Sequence, residues 1–225
     1  MKNSLSATLG IAALVLLPLT AVQAEQNRFY LQADLGGTSA SDVKLKEFFG
    51  QPLAANSEIS LDPGSRLGIR AGYGLTDWLA GELETGFSAN DIDSITAPGV
   101  VQTDGSIANV PVLLNLRLHV PEKNRFAPYV GAGFGIASTI LYGDDIWLGA
   151  ARFSGSAADA VFCYQGFAGL RFALNDQMGL SVEYHYFHAQ ASSLNADVTV
   201  GLPSDRVKLG RTETHSVSVA FDFRF

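Results

Sequence analysis

The chain has 225 residues, with 15 Lys and Arg against 22 Asp and Glu, a formal net charge of −7 at pH 7, and one cysteine. The acidic balance argues against nucleic acid as a partner, because phosphate binding needs a surplus of Lys and Arg. The lone thiol, Cys163, excludes an intrachain disulfide.

Residues 1–24, MKNSLSATLGIAALVLLPLTAVQA, read as a secretory signal peptide. Lys2 precedes an apolar stretch from Ile11 to Leu19, and Val22 and Ala24 put small residues three and one positions before a cut after Ala24. The apolar run falls short of the ~20 residues a spanning helix needs. No cysteine follows the cut to carry a lipid anchor. The remaining domain, 25–225, carries 14 basic and 22 acidic residues, a formal charge of −8.

No later apolar run approaches the length of a spanning helix. Apolar and polar residues instead alternate with period two in eight segments, each near the ~9–11 residues of a tilted membrane strand. Segment 28–37 sets Phe29, Leu31, Ala33 and Leu35 against Tyr30, Gln32, Asp34 and Gly36. Segment 65–75 sets Leu67, Ile69, Ala71 and Tyr73 against Arg66, Gly68, Arg70 and Gly72. In 78–88, Leu79, Leu83 and Phe87 oppose Trp78, Ala80, Glu82 and Glu84. In 107–119, Val110, Val112, Leu114, Leu116 and Leu118 oppose Asn109, Asn115 and Arg117, with Pro111 and Leu113 interrupting the polar face.

Segment 128–142 carries Val130, Ala132, Phe134, Ile136 and Ile140 against Gly131, Gly133 and Gly135. Segment 160–173 sets Phe162, Tyr164, Ala168, Leu170 and Phe172 against Cys163, Gln165, Gly169 and Arg171. In 179–188, Leu180, Val182, Tyr184 and Tyr186 oppose Ser181, Glu183, His185 and Phe187. Segment 214–225 alternates Val217, Val219, Phe221, Phe223 and Phe225 with Ser216, Ser218, Ala220, Asp222 and Arg224.

The links alternate strictly between short (75–78, 120–127, 174–178) and long (38–64, 89–106, 143–159, 189–213). An antiparallel membrane barrel sorts its connections this way, with tight periplasmic turns and long outer loops. The expected fold is therefore all-β: an eight-stranded antiparallel up-and-down transmembrane β-barrel after an N-terminal signal peptide, with four long outer loops. Hydrocarbon requires every backbone N–H and C=O to be paired, and a closed barrel has no open edge. Trp78, Phe126, Tyr129, Phe172, Phe223 and Phe225 near the short turns, and Phe87, Tyr142, Trp147, Phe162 and Tyr186 near the long loops, are expected to form two interfacial girdles. A soluble sandwich or lipocalin-like barrel would have to bury the apolar face and would gain no dry core from the charged one.

The inward face then holds Arg66, Arg70, Arg117 and Arg171 beside Asp34, Glu82, Glu84 and Glu183. About eight strands enclose a bore just wide enough for side chains to fill. Balanced charges in so narrow a space predict a salt-bridged plug rather than an ion-selective pore. Gly131, Gly133 and Gly135 are expected to give room to long arginines on facing strands.

These landmarks resemble the outer-membrane β-barrel family that includes opacity-type surface antigens and OmpA/OmpX-like barrels. The likeness rests on GYGLTDWLAGELE (72–84), NVPVLLNLRLHV (109–120), APYVGAGFGI (127–136), YQGFAGLRF (164–172), LSVEYHYF (180–187) and HSVSVAFDFRF (215–225). It implies that Phe221, Phe223 and the terminal Phe225 form the signal read by the barrel-insertion machinery. It implies no activity, since fold does not fix function. The stretch DVKLKEFFG (42–50) departs from the shortest barrels of this kind and has no assigned role.

Catalytic chemistry finds little support. His119 sits by a short turn, His185 points inward beside Glu183, and His215 opens the last segment. His188, followed by Ser192 and Ser193, has the outline of a lipid-A-modifying hydrolase, but no third group stands at a recognisable spacing. Asp144-Asp145 and Asp91-x-Asp93 lack metal-site spacing and read as solvated turns. No glycine-rich phosphate loop follows a strand and opens a helix, and no cofactor is implied. The expected function is a non-catalytic, structural or surface-exposed (adhesin- or antigen-like) barrel. Its expected partners are outer-membrane lipids, lipopolysaccharide, the insertion machinery and an extracellular partner met by the loops. The alternative is a transport barrel for small solutes or apolar molecules.

Overall fold

The computed structural model describes residues 29–102, 104–120, 125–148, 151–196, 204 and 206–225. The expected signal peptide and its cleavage site lie outside them. Fourteen strands follow one another with no helix among the described residues. They are β1 (Phe29–Ala40), β2 (Val43–Phe48), β3 (Gln51–Pro52), β4 (Glu58–Leu61), β5 (Gly64–Gly74), β6 (Leu79–Thr96) and β7 (Val100–Gln102). After them come β8 (Gly105–His119), β9 (Phe126–Leu148), β10 (Ala151–Ala173), β11 (Met178–Ala189), β12 (Ser193–Ala196), β13 (Arg206–Leu209) and β14 (Thr212–Arg224).

The long strands pair antiparallel in the order β1–β5–β6–β8–β9–β10–β11–β14, and β14 pairs again with β1. That path returns to its start, so these strands present no unpaired edge. The closing seam runs from Tyr30 opposite Arg224 to Ala40 opposite Thr214. Tight turns join the strands at one end. Thr76 Oγ1 accepts the backbone N–H groups of Trp78 (3.3 Å) and Leu79 (3.0 Å), and Asn175 Oδ1 accepts those of Gln177 (2.9 Å) and Met178 (2.7 Å). Short polar side chains of this kind mimic a backbone turn.

The pleat puts successive side chains on opposite faces, and the hydropathy of the two faces is reversed from that of a soluble barrel. Leu35, Leu114, Phe134, Ile136 and Val217 point outward, each 60% exposed or more, while Arg70, Arg171, Glu84 and Glu183 are buried inside. A continuous exposed apolar belt is rare on a soluble monomer and suits contact with lipid.

The long links are not the loops expected from the sequence. β2, β3 and β4 occupy much of 38–64, β6, β7 and β8 much of 89–106, β9 and β10 continue through 143–159, and β12, β13 and β14 reach into 189–213. The physical reason lies in which face is apolar. Beyond the belt the pleat keeps its parity but the apolar residues change sides. On β6, Glu82 and Glu84 point in and Leu83 and Phe87 out; further along, Ile92 is buried and Asp91 and Asp93 are exposed. Val43, Leu45, Phe48, Ile59, Ile107, Leu141, Ile146, Leu194, Val207 and Leu209 join Ile92 in one apolar cluster that fills this end. Burial of that cluster gives the links the tertiary reason to stay in strands that hydrocarbon gives the belt.

Gly36 faces Ser218 across the closing seam. A Cβ there would lie 2.2 Å from the Val217 carbonyl oxygen and 2.6 Å from the Ser218 Cα and Cβ. Gly36→Ala is expected to cost about 1–3 kcal/mol by overpacking, read as a lower urea midpoint for the unboiled, fast-migrating gel band. An unchanged midpoint would mean that the seam is looser than these contacts require.

Candidate functional site

The candidate site is the polar cluster inside the belt, and pleat parity builds it. Each long strand offers every second residue to the interior, and the sequence puts its charges there.

Arg70 on β5 is the hub. It is fully buried, and Nη1 and Nη2 donate to the two carboxylate oxygens of Glu183 at 3.1 and 2.9 Å. β5 and β11 are not neighbours in the pairing order, so this bidentate pair crosses the bore. Arg70 Nε lies 3.1 Å from Glu84 Oε2, and the guanidinium sits 4.8 Å from the Phe167 ring centroid. Arg66 bridges Asp34 (3.1 Å) and Glu84 (2.5 Å). Arg117 approaches Glu82 (3.4 Å) and receives the Tyr129 ring at 3.7 Å. Near the short turns, Arg171 grips Asp222 through Nε (2.8 Å) and Nη2 (2.8 Å).

Amide, phenol and imidazole groups complete the two central carboxylates. Glu183 accepts from Gln32 Nε2 (2.6 Å) and the Tyr129 hydroxyl, and lies 2.8 Å from His185 Nε2. Glu84 accepts from Asn115 Nδ2 (2.7 Å) and Gln165 Nε2 (2.5 Å). Tyr30 donates to Glu82 at 2.5 Å. Every long strand thus contributes a polar side chain to the interior.

All eight charged residues named from the sequence lie inside, and seven of them form the central cluster. Arg171 stands apart with Asp222. That aspartate lies on the inward face read from the sequence, as does Arg224, whose Nε is 3.8 Å from it. Tyr129 is not a girdle residue: it is 3% exposed and points inward, as its parity with Gly131 and Gly133 requires. Gly131 stands opposite Arg117, but the atoms nearest these three glycines are not those of arginines. A Cβ at Gly131 would strike the Phe167 ring, one at Gly133 the Asn115 amide, and one at Gly135 the Val112 backbone. The glycine that an arginine packs over is Gly179, beneath Arg171.

Phe221 and Phe225 face outward, with Phe223 half-buried and its ring 5.0 Å from that of Phe225. His188 stacks on Tyr164 and lies 3.5 Å from Glu213, whereas Ser192 is buried and Ser193 pairs with Lys208. Among the described residues no hydrogen bond joins His188 to either serine. Asp91 and Asp93 are exposed, and the Asp144 and Asp145 side chains lie outside what is described. No group of three or more His, Cys, Asp or Glu suited to a metal occurs among the described residues.

A family model described as an outer membrane protein beta-barrel domain matches residues 9–225. The chain belongs to this family. It is an outer-membrane protein, and the exposed apolar belt is its lipid-facing side. Among solved structures it is similar to Neisserial surface protein A (14% identity, TM-score 0.55), covering 90% of this chain and 100% of that one. It is also similar to the outer membrane protein OprG from Pseudomonas aeruginosa (17%, 0.54, covering 91% and 100%). A third likeness is to the outer membrane protease OmpT from Escherichia coli (8%, 0.54, covering 92% and 99%). At such identities these likenesses speak for the fold alone. A search of curated proteins found no match.

Removing one partner of a buried ion pair typically costs about 3–5 kcal/mol because the other charge stays buried. Arg70→Met in this outer-membrane barrel is therefore expected to lower stability by about that amount, measured by urea titration of the folded gel band. Arg70→Met combined with Glu183→Gln should lose less than the two single losses added together. Strict additivity would show that the pair is not coupled across the bore.

Proposed function

We propose that the chain is a closed eight-stranded transmembrane barrel, oriented with its long links outside, that serves as a non-catalytic structural and surface-presenting protein. The carrying observation is the cross-bore cluster of Arg70, Glu84 and Glu183, in which buried charges of both signs are neutralised by one another. An open channel needs a continuous water-filled path. Here both oxygens of Glu84 and of Glu183 accept from arginine, amide or phenol donors, and the apolar cluster of the outer links stands above them. In this reading Phe221, Phe223 and Phe225 are presented to the barrel-insertion machinery, and the folded outer sheets meet an extracellular partner.

Purified protein in planar bilayers is expected to give no steady conductance in 1 M salt, on the order of the ionic strength at which screening reaches ~3 Å. A reproducible single-channel step would overturn the filled-barrel reading.

One observation favours a second reading, passage of apolar molecules through the wall. The β6–β8 ladder runs from Leu79 opposite Leu118 to Thr85 opposite Val112 and resumes at Ser88 opposite Asn109. The gap faces Pro111, which has no N–H to donate, and the Pro111 carbonyl accepts instead from Thr85 Oγ1 at 3.0 Å. Inside the barrel, Leu113, Ala137, Val161, Cys163, Phe187 and Ala189 form an apolar layer beside it. If this seam admits apolar molecules, expressing the protein should raise cellular uptake of an apolar fluorescent dye, and Pro111→Val should cut that gain several-fold. Equal uptake with and without the protein would remove this reading.

A further inference from the structure

On the outer rim of the β1, β11 and β14 wall, the link after β1, strand β2 and the segment before β14 surround a recess of about 420 Å³. Its polar walls are Ser41, Asp42, Lys44, Lys46, Arg211 and Glu213. The pleat of β2 explains the lysines: Val43, Leu45 and Phe48 enter the apolar cluster, which turns Lys44 and Lys46 outward. Backbone bonds fasten the walls, from Gly210 N–H to the Lys44 carbonyl (2.6 Å) and from Ser41 N–H to the Glu213 carbonyl (2.9 Å).

The cations here are under-used. Lys44 and Lys46 make no ion pair with any described residue, whereas Lys208 in the same outer sheet is paired with Glu47. Arg211 is 72% exposed in its side chain and spends its Nε on Glu213 at 2.8 Å, one of five guanidinium donors. In a chain of net charge −7, three cations against Asp42 and Glu213 leave this recess with one net positive charge.

What lies below the recess decides the ligand class. On the lipid-facing side of β11 and β14, His188 stands opposite Glu213 and Tyr186 opposite His215, and the Tyr184 hydroxyl lies 2.6 Å from His215 Nδ1. Further toward the belt the same strips are apolar: Val182, Val217 and Val219 are 58–60% exposed. From membrane to rim, the wall therefore passes from aliphatic to phenol and imidazole to cation. Amphipathic aromatics mark the headgroup level of a bilayer, so the cations stand just above it. A ligand that fits has acyl chains, a polar shoulder and a bulky polyanionic head.

We propose that this recess binds the phosphorylated sugar headgroup of lipopolysaccharide, with Lys44, Lys46 and Arg211 holding phosphate and the strip from Val219 to Tyr184 receiving acyl chains. The inference rests on the proposed orientation with the long links outside. Arg and Lys together suit phosphate, Arg by its planar fork and Lys as a compact charge. The recess is wider than a lone carboxylate needs.

Native mass spectrometry of the purified barrel in detergent, titrated with bisphosphorylated lipid A, tests this. Wild type is expected to retain one lipid A, and Lys44→Gln/Lys46→Gln/Arg211→Gln together should weaken retention at least ten-fold while the heat-shifted gel band shows normal folding. Arg206→Gln/Lys208→Gln, on the same outer sheet but off the recess, should bind like wild type. Fully dephosphorylated lipid A should bind wild type as weakly as the triple variant binds the intact lipid. Undiminished binding by the triple variant, or equal binding of the dephosphorylated lipid, overturns the proposal. Equal competition by phosphatidylglycerol overturns lipopolysaccharide as the source. An epitope inserted after Ser204 checks the orientation separately. If antibody cannot reach it on intact cells, the orientation fails and this lipid source with it, whatever the affinities in detergent.

Discussion

The pairing of every backbone group inside hydrocarbon is the constraint from which the rest of this molecule follows. It forces the long strands into one closed antiparallel path, and closure fixes the pleat of each strand against both neighbours. Once the pleat is fixed, parity alone decides which side chains meet lipid and which meet one another. The reversal of hydropathy along β6, from Glu84 inside to Ile92 inside, shows that the strand does not turn over as it leaves the belt. The surroundings change and the sequence follows them. Where lipid lies outside, polar groups must be inside and fully bonded. Where water lies outside, the same inward positions become an ordinary apolar core.

Most of the bonding inside the belt converges on two carboxylates. Glu183 takes both ends of the Arg70 fork together with an amide, a phenol and an imidazole, and Glu84 takes two arginines and two amides. Replacing a buried ion pair by apolar residues is often neutral for stability, so a network this dense is poorly explained as a source of free energy. Its geometry suggests specificity. A slip of one residue in β5 would turn Arg66 and Arg70 into lipid and leave Glu84, Glu183 and Asp34 buried without them. Few errors in a barrel would be more costly, and the network therefore penalises the wrong register more than it stabilises the right one.

Much of this was legible in the sequence because one rule, period two, governs both lipid contact and lumen contact. The strands of the belt, their inward charges and the alternation of short and long links all follow from it. Three features escaped for different physical reasons. The outer strands look like loops in the sequence because their burial depends on partners far away along the chain: Val207 sits opposite Phe48, and Ile59 opposite Val43. Tyr129 was placed by its residue type, although parity with Gly131 puts it inside. The partners of the glycines depend on which strand neighbours which and at what stagger, so Gly133 meets Asn115 rather than an arginine. A pattern along one strand fixes a face. Identifying what stands across from that face takes the register of two.

The asymmetry around the barrel bears on what the two ends of the wall are for. The interrupted ladder at Pro111 and the inner apolar layer lie on the β6 to β11 side, while the cationic recess and its tyrosine and histidine strip lie on β1, β11 and β14. A barrel that only filled a hole in the membrane would have no reason to differ from one side to the other, because the bilayer around it is uniform. The polar cluster inside ties all the walls together and imposes no such difference. The outer wall departs from uniformity at a seam lacking one hydrogen-bond donor and at a rim where Lys44 and Lys46 pair with no described acid. Both lie at or above the half of the belt nearer the long links, so the wall is built differently at that end from one side to the other.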